Sequence, residues 1–245
     1  VKVQVVSDLH LEFFGPHEYE LLVQSLREES PESDVIVLAG DVTTAIYSYF
    51  LKSFCEKWQH VVYVPGNHFY YNATRVYARE RLTAITKEFS NFHWLDDSEC
   101  MIEGQRFLGG TGWFPETKES SDPYLQGCMN DFRTVFELKK WVFKDNAKTL
   151  NYLKSEVREG DIVVTHHLPH EDCIKERWKG SALNCFFHSV FDSVVELNRP
   201  RYWIYGHTHD SNFEKIENTQ MICNPLGYNG YEKNKTFNKN LVLDV

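Results

Sequence analysis

Five short segments of this chain concentrate residues that do chemistry together. Asp8 and His10 stand one residue apart in Ser7-Asp8-Leu9-His10, and His207 and His209 do the same in Gly206-His207-Thr208-His209. Asp41 follows Gly40, Asn67 and His68 follow Gly66, and His166 and His167 follow Thr165. Carboxylate, amide and imidazole donors suit borderline divalent cations such as manganese, iron, cobalt or zinc. A structural zinc site would instead use a closed tetrahedral set of Cys and His, and the six cysteines contain no C-x-x-C pair. Taken singly, each residue is explained as well by a hydrogen-bonded polar group at a strand end. The weight lies in the set. In extended backbone, residues two apart face the same way, so Asp8 can act with His10 and His207 with His209. Gly40, Gly66 and Gly206 are expected to let the chain turn sharply where these side chains must face inward.

Every one of the five segments follows an apolar run of strand length. Val3–Val6 leads to Asp8, Val35–Ala39 to Asp41, Val61–Val64 to Asn67, Ile162–Thr165 to His166, and Tyr202–Tyr205 to His207. In open α/β sheets, sites form outside the carboxyl ends of the strands. Helical patterns are expected near Glu18–Glu29, Thr43–Trp58, Thr74–Phe89, Glu137–Arg158 and Asn184–Leu197, alternating with strands in a way that implies a largely parallel sheet. Cys100–Glu103 with Gln105–Gly110 reads as a hairpin about Gly104. Asn212–Ile216 with Gln220–Cys223 reads as a second hairpin, and Asn240–Asp244 as a last strand. The Gly-, Pro- and aromatic-rich stretch Thr111–Arg133 is expected to be a long functional loop. No repeat or linker divides the chain, which is read as one domain over residues 1–245.

The ordered set D-L-H, G-D, G-N-H, T-H-H and G-H-T-H resembles the calcineurin-like metallophosphoesterase superfamily, particularly its compact bacterial and phage-type members. F-L-G-G-T-G-W-F (107–114), M-N-D-F-R (129–133) and I-C-N-P-L-G-Y (222–228) resemble further segments of these proteins. The resemblance implies a four-layer α-β-β-α sandwich with two mixed β-sheets. It implies two divalent ions, manganese first, with iron, zinc, cobalt or magnesium as alternatives. Asp8, His10, Asp41 and His209 would hold one, and Asp41, Asn67, His166 and His207 the other, with Asp41 bridging. His68 matches the family's catalytic histidine, which is not a ligand. The implied reaction is hydrolysis of a phosphodiester or phosphomonoester by a metal-bridging hydroxide, His68 protonating the leaving group. A protein phosphatase, a nuclease and a non-catalytic metal-binding scaffold are the alternatives. The chain departs from the family where Glu commonly follows G-N-H, since it has Phe69 there; Asp131 and Asp97 are the candidate replacements as partner of His68 or of a nearby Arg.

Other residues are read more plainly. Phe69, Tyr70, Tyr71, Trp113 and Phe114 either line a ring-stacking pocket or pack in the core, and packing is favoured. His170, Arg177 and Lys179 are read as solvated surface rather than phosphate contacts. His167 stays open between a supporting or substrate-binding role at the site and a capping contact, and Asn130, Asp131 and Arg133 stay open as site contacts.

Composition bounds the partners. Of 245 residues, 42% are hydrophobic and 25% charged, as in ordinary globular proteins. A net charge of −9 disfavours extended duplex nucleic acid, but not a small anionic phosphate ester, for example a nucleotide derivative, drawn by bound cations. No run approaches the ~20 apolar residues of a membrane span. Val1–Val6 carries no basic leader, and the scattered cysteines read as reduced thiols, so a cytoplasmic location is expected.

Overall fold

The computed structural model describes residues 1–245. Its first half alternates strand and helix: β1 (Lys2–Val6), α1 (Pro16–Glu29), β2 (Val35–Ala39), α2 (Lys52–Cys55), β3 (His60–Val64), α3 (Arg75–Glu88) and β4 (Phe92–Trp94). The second half opens with a hairpin, β5 (Ser98–Ile102) and β6 (Gln105–Gly109). Three helices follow, α4 (Pro123–Cys128), α5 (Asp131–Thr134) and α6 (Val142–Glu156). Then come β7 (Ile162–Val164), α7 (Asp192–Asn198), β8 (Tyr202–Tyr205), β9 (Lys215–Ile216), β10 (Thr219–Cys223), β11 (Gly227–Tyr228), β12 (Glu232–Lys233) and β13 (Val242–Asp244).

Two large mixed sheets result. One has the order β13-β1-β2-β3-β4, the other β5-β6-β7-β8-β10-β9. β1 to β4 are parallel with β13 antiparallel at the edge, and β6, β7, β8 and β10 are parallel between antiparallel β5 and β9. Strand alternation sorts the side chains into layers. Val3, Val5, Val35, Val37, Val62 and Val64 meet Phe107, Ile162, Val164, Ile204 and Ile222 between the sheets. Ile36, Leu38, Val61 and Tyr63 face the other way, onto α1, α2 and α3 through Val23, Leu26, Phe54, Leu82 and Ile85. On the far side Leu108, Val163, Trp203 and Met221 pack against Leu153 of α6 and Val194 and Val195 of α7. Helix, sheet, sheet, helix is the four-layer sandwich expected. The sheets are also stitched at the rim: Asn224, just past β10, accepts from the Ser7 amide at 3.1 Å and donates through Nδ2 to Val5 O at 2.8 Å.

Several element expectations shift. The helix expected over Thr43–Trp58 is a 3-10 segment, Ala45–Leu51, broken at Tyr47 (φ −103°, ψ 22°), followed by the one-turn α2. The helix expected from Glu137 starts at Val142, because Glu137 itself sits at φ 55° and a 3-10 turn intervenes. Of Asn184–Leu197 only the last turns are α-helical, since Val190 takes φ 57° and Leu168 pairs with His188 across the segment. The stretch Thr111–Arg133 carries α4, capped by Asp122 ahead of Pro123, and the start of α5. Strand β4 escapes the periodicity because it is only three residues long at the sheet edge.

Phe107 is fully buried between the sheets. Phe107→Ala is therefore expected to lower unfolding stability by ~3–5 kcal/mol, read as a reduced urea midpoint at unchanged m-value.

Candidate metal centre

All five segments singled out above leave the carboxyl ends of β1, β2, β3, β7 and β8 on one rim. The loops are zipped to one another beyond the sheets: Asp8 N donates to Gly40 O (3.0 Å), His10 N to Asp41 O (2.9 Å), and Gly206 N to His166 O (3.0 Å). Asp8, His10, Asp41, His207 and His209 all adopt left-handed backbone, with φ of 51°, 46°, 48°, 71° and 54°. Such conformations are disfavoured for residues with a Cβ, cost on the order of 1 kcal/mol or more each, and persist only where surrounding structure enforces them. Their effect here is to turn each strand end back so that its side chain faces the rim.

The glycines act differently from expectation. Only Gly40 has positive φ, 85°. At all three positions the deciding factor is close approach. A Cβ on Gly40 would collide with the His166 ring, one on Gly66 with Asp41 Oδ1, and one on Gly206 would lie 2.5 Å from Asp8 Oδ2.

The side chains converge in overlapping groups. Asp8, His10 and His209 bring ligand-capable atoms within 4.8 Å of one another, as do Asp41, His166 and His207, while Asp41 also lies that close to His10 and His68. His10 Nε2 faces His209 Nε2 at 3.1 Å, and His209 Nε2 lies 3.5 Å from Asp8 Oδ1. His166 Nε2 is 3.0 Å from Asn67 Oδ1 and 3.2 Å from Asp41 Oδ2. All seven expected ligands are thus brought together.

Hydrogen bonds orient these groups from behind. His166 Nδ1 donates to Ala39 O (3.0 Å) and His10 Nδ1 to Glu12 Oε1 (3.3 Å), which turns each Nε2 towards the rim. Asp8 accepts from His207 N at 3.0 Å, and Asp41 Oδ1 from His68 N at 2.9 Å. Asn67 donates its amide to Asp131 Oδ1 at 2.9 Å, so its carbonyl oxygen points to His166. Burial raises the pKa of Asp41, but His166 and His68 outweigh it and hold the carboxyl well below its ordinary value. Burial, reinforced by His167 and His166, pushes His207 well below the imidazole range, so it is neutral and able to coordinate.

The donor set fits cations. His207 Nε2 is buried without a hydrogen-bond partner, a feature that calls for an explanation in a folded protein. His10 and His209 present two imidazole nitrogens to each other, an arrangement a shared cation relieves. Carboxylate, imidazole and amide oxygen are the ligands of such ions.

His68 is engaged differently. Nδ1 donates to Glu12 Oε1 at 3.2 Å and Nε2 meets the Tyr228 hydroxyl at 3.1 Å. Both ring nitrogens are thereby taken, although the ring lies close to Asp41. Burial lowers its pKa, but Asp41 and Glu12 more than compensate, and the net shift is upward. The candidates Asp131 and Asp97 are not the partners of His68. Asp131 accepts from Asn67 and Tyr71 (2.6 Å), and Asp97 from Thr149 (2.6 Å) and Lys148 (2.8 Å). Glu12 fills that place, two residues beyond His10, where a 3-10 turn over Leu11–Phe13 folds it back. Tyr228 was not singled out from the sequence either; it follows β10, a sixth strand parallel to β8 that read only as part of a hairpin.

The remaining readings divide. Phe69, Tyr70, Trp113 and Phe114 are core residues, while Tyr71 stacks on His68 with centroids 4.1 Å apart and lines the cleft. Asn130 and Asp131 line the cleft; Arg133 is turned to Asn130 Oδ1 at 2.7 Å. Arg177 pairs with Asp210, Lys179 with Glu176, and His170, expected at the surface, is buried. His167 is buried against Trp113 and His207 with neither ring nitrogen partnered, and burial with His166 nearby pushes it down to about 3.

The profile of the calcineurin-like phosphoesterases matches residues 1–211. The chain belongs to that family. It is therefore a member of a family of metal-dependent phosphoester hydrolases. An uncharacterized protein (L509) of Acanthamoeba polyphaga mimivirus is 27% identical over 276 residues, covering 99% of this chain and 96% of that protein. Among solved structures, a phosphopantetheinyl hydrolase (PptH) from Mycobacterium tuberculosis superposes with a TM-score of 0.70 at 13% identity, covering 93% of this chain and 89% of its own. A dimetal phosphatase from Danio rerio gives 0.55 at 15% identity, with 91% and 86% covered. At these identities the structures establish the shared fold of this phosphoesterase. No helix in it is long and apolar enough to cross a membrane.

A methyl group on Gly66 would occupy the place of Asp41 Oδ1. Gly66→Ala is expected to keep the far-ultraviolet spectrum of the wild type while weakening manganese binding by about tenfold or more, ~1.4 kcal/mol, in calorimetric titration.

Proposed function

We propose that this phosphoesterase hydrolyses a small phosphodiester, using two divalent cations, manganese first, and His68 as general acid. The observation that carries the reading is the position of Asp41, whose carboxylate lies within 4.8 Å of His166 and His207 in one cluster and of His10 and His68 in another, while His10 also belongs to the cluster of Asp8 and His209. Asp8, His10, Asp41 and His209 would hold one cation, and Asp41, Asn67, His166 and His207 the other. Such ions, when bound, supply a water acidified towards neutral pH and neutralise charge that grows on the phosphoryl oxygens.

The chain's own residues supply the rest. Asn67 contributes a neutral oxygen, so the centre stays cationic towards an anionic ester, and Asp131 fixes which end of the amide faces in. His68, held through Nδ1 by Glu12, turns Nε2 towards the Tyr228 hydroxyl and the cleft, and as an imidazolium it carries a proton there. That nitrogen is the one able to protonate a departing alkoxide, a contribution of typically ~10²–10⁴-fold. Glu12 fixes the tautomer and favours the imidazolium. Neither Ser nor Cys stands among the converging groups as a nucleophile, which fits direct transfer of the phosphoryl group to water. The use of a related fold by a dimetal phosphatase accords with two metals on this scaffold.

Asp41→Ala is expected to lower bound manganese from about two ions per chain to less than one by elemental analysis, and EDTA to abolish turnover until manganese is restored. Retention of both ions by Asp41→Ala would refute the bridging assignment. His68→Ala should bind manganese normally yet lose about 100-fold or more in kcat on alkyl esters, with a much smaller loss on p-nitrophenyl esters, whose leaving group needs no proton. Glu12→Gln should show the same leaving-group dependence at about a tenth of the severity. Equal losses on both ester types would argue against proton donation.

A further inference from the structure

The centre opens into a cleft of about 420 Å3 whose far wall, residues 168–187, belongs to none of the five motif segments. The most prominent group there is Trp178, which is 49% exposed although it lines the cleft. It is held rigidly. Its indole Nε1 donates to Asp210 Oδ2 at 3.3 Å, and its carbonyl accepts from Asn184 Nδ2 at 2.8 Å. The Arg177 guanidinium lies over the ring, 5.0 Å from its centroid, and its Nη2 donates to both carboxylate oxygens of Asp210, at 2.7 and 2.8 Å. Asp210 directly follows His209, so the platform is tied to the loop that carries two of the converging histidines. An indole fixed at its edge, with a guanidinium across the ring and an open cleft beside it, is preorganised for stacking.

Around it apolar side chains alternate with Lys175, Ser181 and Asn184. Ile174, Leu183, Phe187 and Met129 line the same cleft. Its charged groups outside the converging set are few: Lys175, bound to Asn212 Oδ1 at 3.1 Å, against Asp131 and Glu232. No cluster of cations waits for additional phosphates.

We infer that Trp178 selects the ester group of the substrate: a phosphodiester whose second alcohol carries a planar, uncharged aromatic or heteroaromatic ring that stacks on the indole, with no further phosphate attached. This rests on the function proposed above and names the substrate class of that same centre. Trp178 is a specificity residue, outside the converging set, and its loss should act through binding of the ring.

The test uses the full chain loaded with manganese and two diesters with the same leaving group, thymidine 5′-(p-nitrophenyl phosphate) and methyl p-nitrophenyl phosphate. The wild type is expected to favour the nucleoside ester by about tenfold or more in kcat/KM, within the range that stacking of a base on an aromatic side chain supplies. Trp178→Ala should remove that preference, mainly through KM, and leave the methyl ester nearly unchanged; Trp178→Phe should retain most of it. Titration with thymidine 5′-monophosphate gives a readout without turnover: calorimetric affinity should fall in Trp178→Ala and hold in Trp178→Phe. A wild type that does not discriminate, or a Trp178→Ala variant that loses both esters equally, overturns the inference while leaving the hydrolytic reading standing. Turnover of neither ester overturns both.

Discussion

Asp41 is the side chain on which the rim is organised. One oxygen is 3.2 Å from His166 Nε2, the other accepts from the His68 amide, and the carboxylate is pressed so closely against Gly66 that no Cβ fits between them. A buried carboxylate is costly unless opposite charge or hydrogen bonds compensate it. Here it lies among imidazoles that themselves converge, and the buried His207 Nε2 has no hydrogen-bond partner. Cations bound there would satisfy these donors together. The left-handed turns at Asp8, His10, Asp41, His207 and His209 are the conformational cost of bringing the donors so close.

The sandwich provides the rigidity that such a centre requires. Parallel strands in both sheets end on the same side, and inter-sheet packing of valines and isoleucines against Phe107 fixes the two rims relative to each other. Rim hydrogen bonds, from Ser7 N to Asn224 O, from Asn224 Nδ2 to Val5 O and from Gly227 N to Asp8 O at 3.0 Å, couple the sheets where the donors sit. Displacing one loop would therefore disturb donor groups contributed by another, as expected where a site depends on supporting contacts.

The departure at Phe69 shows how one role can be filled from a different place in the chain. Phe69 is a core residue, edge-on to Tyr63, and contributes nothing to His68. The carboxylate comes from Glu12, whose Oε1 serves His10 and His68 together. A shared carboxylate ties the orientation of a candidate ligand to that of the candidate acid, a coupling that a carboxylate next to His68 in sequence would not provide.

Most strands and the order of the five donor segments could be read from the chain alone, because strand periodicity and short local motifs are properties of neighbouring residues; the four layers followed from the family resemblance that those motifs carry. It also marked all seven converging donors. The roles of Glu12, Asp131 and Tyr228 were decided only by tertiary structure: each acts across a large separation in the chain, Asn67 with Asp131 and His68 with Tyr228, and no local spacing encodes such pairs. The glycines make the same point, since two of the three are required by an approaching carboxylate from another loop rather than by their own φ. The 3-10 segments and the late start of α6 were likewise hidden, because packing overrides helical propensity where a single residue such as Tyr47 or Glu137 is held out of the helical region. What the cleft wall at Trp178 presents to a substrate emerges only when Arg177, Asp210 and Asn184 are seen to brace one ring.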